Sequence, residues 1–512
     1  MKKYLKFLTG RLATFIFLFL IQIAVVFWLV ITIANGNALY FYLIYVFSFV
    51  IVFFVVSRDD NPAFKIAWII VILTVPVLGV PFYVIFGNKR GGRQVARQVV
   101  KYRGYYEHGL NLALPQPQSE VFADLTANSP ILARQAAYIR NLSGGALWRN
   151  TEVEYYALGE LAFKRIQEEV TKAKRFILLE YFIIDEGEMW DAMLNLLISK
   201  VKEGVTVRLM YDDLGSIQTL PPHYESRLRE AGLLVGIFNY MRPHLNPRLN
   251  YRDHRKILVI DGDVGFTGGI NFADEYINRK IKFGHWKDTV VMLRGEAVWN
   301  LTSMFLQQWM FTTSELVDFS GFLPQRRFLT DGFVQPFGDS PLDDENIAEN
   351  AYIQIINNAR KYVWITTPYL IIDTQMSTAL IIAAQSGVDV RIITPSFPDK
   401  WYIHPVTRSN YRVLLRAGVR IFEYTPGFIH AKMFVSDDEV SIVGTTNMDY
   451  RSFYLHFECG VAFYHSSMVG SVRNDITRTL EVCKEITLAQ EESIPFHYRF
   501  CRDVLKLFSP LM

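Results

Sequence analysis

The chain of 512 residues is poor in cysteine: Cys459, Cys483 and Cys501 are an odd number, fall late in the sequence and form no CxxC pair. That excludes a disulfide framework and a thiolate zinc site, and leaves buried structural cysteines as the expectation. Excess charge of one sign is missing as well, since 53 basic side chains face 50 acidic ones for a net charge of +3. A uniformly basic nucleic-acid binder and an acidic disordered chain are thereby excluded. Hydrophobic residues, in contrast, make up 51% of the chain, enough for sizeable cores, and the length suggests roughly three domains at about 150 residues each.

Much of that apolar content opens the chain, in the runs Leu12 to Ile33, Ala38 to Val56 and Phe64 to Phe86. They hold 22, 19 and 23 residues against the roughly 20 needed to cross a bilayer, and predict an integral, multi-pass membrane protein. A cleaved signal peptide is the alternative for the first run, but that run exceeds the usual apolar core of roughly 7 to 15 residues and no clean cleavage site follows it. Lys2, Lys3, Lys6 and Arg11 hold the N-terminus inside, and the uncharged link Asn35-Gly36-Asn37 makes a hairpin of the first two runs. The third run differs, because Pro76, Gly79 and Pro81 interrupt it; a kinked re-entrant or interfacial segment competes there with a span. A span would leave Lys89, Arg90, Arg93, Arg97, Lys101 and Arg103 outside, against the positive-inside tendency, so a cytoplasmic catalytic part is expected. The basic stretch then serves as a topology signal, as a contact for anionic headgroups, or both.

Beyond about residue 110, short β-rich runs alternate with amphipathic helical stretches, the pattern of α/β units. Asn111 to Ser129, with Pro115 and Pro117 inside it and Pro130 after it, reads as linker. The α/β region is duplicated. Lys174 to Asp185 (KRFILLEYFIID) resembles Arg360 to Asp373 (RKYVWITTPYLIID), and the likeness continues in order from Glu203-Gly204-Val205 to Ser386-Gly387-Val388, then from Ala231-Gly232 to Ala417-Gly418. In each pair glycine ends a helix and alternating apolar residues begin a strand. The expected division is a membrane region over 1–90, a basic linker over 91–145 and two α/β domains over 146–330 and 331–512. One site shared at a pseudo-twofold interface is favoured over two independent domains.

The chemistry sits in a repeated constellation. His254, Lys256, Asp261, Gly268 and Asn271 recur as His430, Lys432, Asp437, Gly444 and Asn447, every position offset by 176. One HxKxxxxD match has a chance on the order of a few per cent, and two in register are not accidental. His and Lys two residues apart on a strand point to the same side. Gly268-Gly269-Ile270-Asn271 and Gly444-Thr445-Thr446-Asn447 read as tight turns whose backbone N–H groups and Asn amides approach an anion, which adds Gly269, Thr445, Asn271 and Asn447 as phosphate-binding candidates. Two His, two Lys and two Asn make a phosphate cradle. No Asp-rich or His-rich cluster with metal spacing accompanies it, so charge on phosphorus falls to lysine and amide donors, and neither metal nor cofactor is expected. Asp261 and Asp437 complete the catalytic motif, yet they end their strands, where an ion pair or a turn cap is the expected job.

These paired motifs resemble the phospholipase D superfamily. The hydrophobic N-terminus with Val77-Leu78-Gly79-Val80-Pro81-Phe82-Tyr83 and Phe86-Gly87 is similar to bacterial cardiolipin synthases in particular, as are Glu180-Tyr181-Phe182, Trp286-Lys287-Asp288-Thr289 and Asn447-Met448-Asp449 leading into Arg451-Ser452-Phe453. The resemblance covers nearly everything from Ala38 onward. It departs in the segment before about residue 35, and at Gly269 and Thr445, where many members have Ser. It implies two tandem phospholipase D-like α/β repeats, each a mixed sheet flanked by helices, sharing one active site behind an N-terminal transmembrane region of the bacterial cell membrane. It further implies that two phosphatidylglycerol molecules are joined into cardiolipin with release of glycerol, through a phosphatidyl-histidine. His254 is then the nucleophile and His430 the general acid and base, the swap being open, and Asp288 and Glu458 are the acids that orient them. A membrane phospholipase D or a transphosphatidylase using other lipids is the alternative. The apolar segments and near-neutral charge argue against nucleic acid, and the completeness of both motifs argues against an inert scaffold. The oligomeric state is not legible.

Overall fold

The computed structural model describes residues 38–87, 118–241 and 250–511 apart from 329, 343 and 344, with a few positions between 17 and 32 and between 105 and 112. The first repeat contributes β1 (Thr151–Tyr156), β2 (Phe176–Tyr181), β3 (Thr206–Asp212), β4 (Leu234–Phe238), β5 (Arg252–Asp253), β6 (Ile257–Ile260), β7 (Val264–Gly268), β8 (His285–Lys287) and β9 (Val290–Gly295). The second contributes β10 (Phe333–Asp339), β11 (Tyr362–Thr366), β12 (Leu370–Ile371), β13 (Asp389–Pro395), β14 (Arg420–Tyr424), β15 (Gly427–Ile429), β16 (Met433–Ser436), β17 (Val440–Gly444), β18 (Met448–Asp449), β19 (His456–Tyr464) and β20 (Cys483–Ile486).

The first sheet runs β1-β9-β7-β6-β2-β3-β4 and the second β10-β19-β17-β16-β11-β13-β14-β20, so seven strands correspond in order and the second sheet adds an edge. The wholly buried run FILLEY of β2 lies between parallel β3 and antiparallel β6, and β11 lies between β13 and β16 in the same way. A strand buried on both faces reads as a continuous apolar run, which is why the duplicated segments were conspicuous. Helices Gly159–Thr171 and Glu188–Lys202 cover the outer face of the first sheet, where Ala162, Ile166, Met193 and Leu197 pack on Ile177 and Leu179. On the inner side one core joins the repeats: Ile257, Val259 and Leu293 belong to the same buried cluster as Met433, Val435 and Val461. Helices Val298–Thr313 and Ser467–Leu480, which follow β9 and β19, supply residues to that core.

Two expectations change on the N-terminal side. Helices Gln118–Asn128 and Pro130–Ser143 fill the C-terminal part of the expected linker, with Val121, Leu125, Leu132 and Ile139 in the core of the second repeat. Pro130 starts a helix there: Ser129 caps it through Leu132 N–H, and proline at the first position loses no helical hydrogen bond. Gln335 fastens the segment by donating to the carbonyls of Ala136 and Gly145, both at 2.9 Å.

The other change concerns the third apolar run. It forms helix Pro62–Thr74, breaks at Val75 (φ −135°, ψ 70°), resumes as Pro76–Phe82 and ends in a wide turn over Tyr83–Gly87. The chain doubles back: Tyr83 meets Trp68 edge to face at 5.5 Å, and a Cβ on Gly79 would stand 2.5 Å from the Val71 carbonyl oxygen. Helix Ala38–Val56 contains no charged residue, though the side chains of Ala38, Tyr40 and Phe41 lie outside the description. Among the described residues no helix is long and apolar enough to cross a membrane, and the first apolar run falls largely outside them. The hairpin docks on the second repeat through Asn61, whose Nδ2 donates to Asp373 Oδ2 at 2.8 Å and Tyr454 OH at 2.7 Å, and through Phe64, edge-on to Tyr450.

Candidate active site

Each motif histidine follows a short strand that leaves its own sheet and pairs in parallel with the other repeat. β5 pairs with β19, with Arg252 opposite His456 and Asp253 opposite Phe457, and His254 N–H donates to the Phe457 carbonyl at 2.9 Å. β15 pairs with β8 likewise, and His430 N–H donates to the Lys287 carbonyl at 2.7 Å. The exchange delivers an acid to each imidazole from the opposite repeat. His254 Nδ1 lies 2.9 and 3.1 Å from the Glu458 carboxylate oxygens, and His430 Nδ1 lies 2.6 Å from Asp288 Oδ2. Lys256 Nζ and Lys432 Nζ each donate to the carbonyl of the histidine two residues before. Aromatic rings wall the pair: Phe182 is edge-on to His254 at 5.1 Å, while Trp286 and Tyr276 flank His430 at 5.3 and 5.7 Å.

Burial governs the electrostatics. It pushes His254 well below its ordinary pKa, helped by the Lys256 charge, and lowers His430 to about 4 with help from Lys432 and against the pull of Asp288. It lowers Lys256 to about 8 and Lys432 to about 7, against the attraction of Glu458 and Asp288 respectively. For Asp288, burial works upward, but the His430 and Lys432 charges outweigh it and hold the carboxylate below its usual range. The resting site therefore favours neutral imidazoles beside cations that are costly to keep charged until an anion arrives.

Four site expectations look different in three dimensions. Asp261 and Asp437 stand at the far ends of β6 and β16, away from the histidines. Asp261 accepts the N–H groups of Lys174, Arg175 and Phe176 at 2.8, 2.7 and 3.0 Å, and Asp437 those of Arg360, Lys361 and Tyr362 at 2.7, 2.9 and 2.9 Å. They cap the starts of β2 and β11. Gly269 and Thr445 stand against the acids. A Cβ on Gly269 would lie 1.9 Å from Asp288 Oδ1, and Thr445 Oγ1 donates to Glu458 Oε2. Of the two amides, Asn271 accepts from Ile183 N–H at 3.0 Å and donates to Tyr276 OH at 2.7 Å, whereas Asn447 Oδ1 is buried without a hydrogen-bond partner.

Sequence reasoning missed two residues. Ser452 donates to Glu458 Oε1 at 2.8 Å. His456 is buried, its Nδ1 3.6 Å from Glu458 Oε1 without a hydrogen bond and its ring 5.3 Å from that of His254. Its only signal is a position two before Glu458 on one strand, which puts both on one face. His254, His456 and Glu458 have ligand atoms within 4.8 Å of one another, close enough to hold a metal ion, a grouping that spacing along the chain does not reveal.

Residues 166–300 and 352–480, which contain both histidines, both lysines and both acids, match the family described as cardiolipin synthase, PLD-like domain. Residues 43–88 match the phospholipase D-nuclease N-terminal family. The chain belongs to the PLD-like cardiolipin synthase family. Cardiolipin synthases of Alkalihalophilus pseudofirmus and a Geobacillus species are 34% and 36% identical to it, each over 91% of this chain and 92% of the relative. An uncharacterized protein of Streptococcus mutans is 40% identical over 90% of this chain and 99% of its own length. The phosphatidylserine synthase of Haemophilus influenzae, 13% identical, shares the fold with a TM-score of 0.56 over 74% of this chain and 100% of that one.

Proposed function

We propose that this cardiolipin synthase family member acts as its relatives are named: it is a phosphatidyltransferase that joins two phosphatidylglycerol molecules into cardiolipin and glycerol. The observation that carries the mechanism is the reciprocal exchange, two imidazoles at one interface, each held at Nδ1 by the other repeat's acid. A carboxylate on Nδ1 keeps the proton there and leaves Nε2 as the reacting nitrogen. In the first half-reaction His254 Nε2 attacks phosphorus, a P–N bond forms, and the P–O bond to glycerol breaks as His430 gives that oxygen its proton. In the second, neutral His430 takes the proton from a hydroxyl of the second phosphatidylglycerol, whose oxygen displaces His254 from phosphorus. Burial holds His430 low in the resting site, so its protonation accompanies arrival of the anionic phosphodiester. Lys256 and Lys432 offset the charge on the non-bridging oxygens in a site with little water. The free acceptor oxygen of Asn447 suits a glycerol hydroxyl.

The membrane supplies both substrates. Helix Ala38–Val56 has 19 residues, a rise of about 28 Å, and exposes Tyr42, Phe47, Phe49, Phe53 and Phe54. An exposed apolar face of that kind marks a lipid or protein contact, and the proposed topology anchors it in the bilayer with the doubled-back hairpin at the surface. The proposed domains are this N-terminal region and the two repeats, with residues 118–143 assigned to the second repeat's core. The test is product analysis: detergent-solubilised enzyme with phosphatidylglycerol alone, in EDTA, yields cardiolipin and free glycerol, and His254→Ala or His430→Ala abolishes both. Phosphatidic acid as product would make the enzyme a hydrolase. Loss of activity in EDTA would assign His254, His456 and Glu458 to a metal.

A further inference from the structure

A cavity of 710 Å³ lies where the N-terminal hairpin meets the second repeat, outside the histidine pair. Its volume is within the range of roughly 300–1,000 Å³ typical of small-molecule sites. Its two ends differ in chemistry. Val55, Phe64, Trp68, Val71, Phe82 and Phe86 of the hairpin and the preceding helix line one side, where Asp59, Asp60, Asn61 and Lys65 add polar groups. Asn250, Asn346, Gln375, Arg451 and Tyr454 line the other. The apolar wall belongs to the module whose outer helix exposes aromatic and aliphatic side chains, and Val55 of that helix lines the cavity. The polar wall backs onto the catalytic strands: Leu455 and Tyr251 line the cavity, and Arg252 N–H donates to the Leu455 carbonyl at 3.4 Å in the strand pair that carries His254 and His456.

Charge is distributed to match. Asp60 is paired with Arg58 at 2.8 Å and Asp59 is exposed at the rim, while Lys65 and Arg451 are the cations of the lining, and burial lowers the Arg451 pKa against the attraction of Asp449. An anion beside a desolvated guanidinium is held more strongly than one in water. We propose that this cavity binds a single glycerophospholipid, its phosphate toward Arg451, its glycerol hydroxyls among the amides and Tyr454, and its acyl chains along Trp68, Phe82 and Phe86. Resting on the phosphatidyltransferase reading, it is where one phosphatidylglycerol waits beside the histidines, already withdrawn from the bilayer plane.

The test uses full-length His430→Ala enzyme, which does not turn lipid over, in phosphatidylcholine nanodiscs containing phosphatidylglycerol with a diazirine near the ester end of one acyl chain. After illumination, adducts are mapped by mass spectrometry. The expected map shows adducts on both walls, on the Trp68–Val71 peptide and on the peptides of Asn346, Gln375 or Tyr454. Excess unlabelled phosphatidylglycerol and Val71→Trp, which fills the apolar end, each reduce them at least fivefold, while glycerol 3-phosphate does not. Adducts confined to the exposed face of Phe47, Phe53 and Phe54 would overturn the site, and the map of the unsubstituted cavity decides this even if Val71→Trp misfolds. Competition by glycerol 3-phosphate alone would also overturn it, making the cavity an anion site. Two-wall adducts without cardiolipin formation by the wild type would retain the lipid site and refute the transferase, and cardiolipin formation without such adducts would do the reverse.

Discussion

Replacing Glu458 by glutamine removes one charge and almost no volume, from a side chain that is fully buried. The carboxylate accepts from His254 Nδ1 at 2.9 Å and from the hydroxyls of Thr445 and Ser452. Those hydroxyls rotate, so an amide N–H on one side finds an acceptor, and folding is expected to survive with a melting temperature within a few degrees of the wild type. The loss falls on His254, which keeps a partner but no longer a charged one. A hydrogen bond to a charged group contributes roughly 1.5–3 kcal/mol, and each 1.36 kcal/mol is about tenfold in rate, so Glu458→Gln should lower kcat about 10- to 150-fold with little change in KM. Cardiolipin formation is followed by mass spectrometry over a range of phosphatidylglycerol in mixed micelles. A kcat within twofold of wild type, or a loss expressed wholly in KM, would refute the assignment of Glu458 to the nucleophilic imidazole.

Gly269→Ala should push Asp288 away from His430 and cost at least about tenfold in kcat, whereas Gly470→Ala, with nothing within 4 Å of the new methyl, should be silent in the same assay. Asp261→Ala leaves three strand N–H groups without their acceptor and should cost about 1–3 kcal/mol in chemical denaturation, with kcat per folded molecule unchanged; a dead but fully stable variant would return Asp261 to the catalytic set. The pH profile of kcat/KM follows from the signs of the shifts. Burial keeps His254 neutral to well below its ordinary value, so the acid limb should lie at lower pH than an ordinary histidine gives, and Lys432 and Lys256 lose their protons near 7 and 8, so activity should decline from about pH 7 upward. A plateau reaching pH 10 would mean that neither lysine acts as a cation in the rate-limiting step.

What could be read from the sequence was what repeats locally. The histidines and lysines sit two apart in a segment between two strands that occurs twice, and identical spacing carries them without any knowledge of the fold. Asp288 and Glu458 came through family resemblance, because the contact that gives each its purpose spans 142 or 204 residues. Gly269 and Thr445 are legible as important, but small residues beside a cradle suit any anion, and only the fold shows that Asp288 and Glu458 lie against them. Asp261 and Asp437 share the motif because the strand that begins after the lysine ends beside the start of its neighbour, whose first N–H groups the aspartate accepts. Pro130 reads as a linker signal, but proline after serine is also how a helix begins. In the third apolar run the helix breakers were visible, but the contact of Gly79 with Val71 that turns a kink into a hairpin was not.

The strand exchange bears on how such a chain can arise. A lone repeat owns a histidine and an acid, but its acid faces outward to serve a histidine it does not possess, so one copy could assemble the site only by pairing with a second copy of itself. Joining two copies in one chain fixes that pairing at one to one and removes its dependence on concentration. It also frees the halves to differ. Aspartate with glycine now stands beside one imidazole and glutamate with threonine beside the other, a difference that two subunits of identical sequence could not carry.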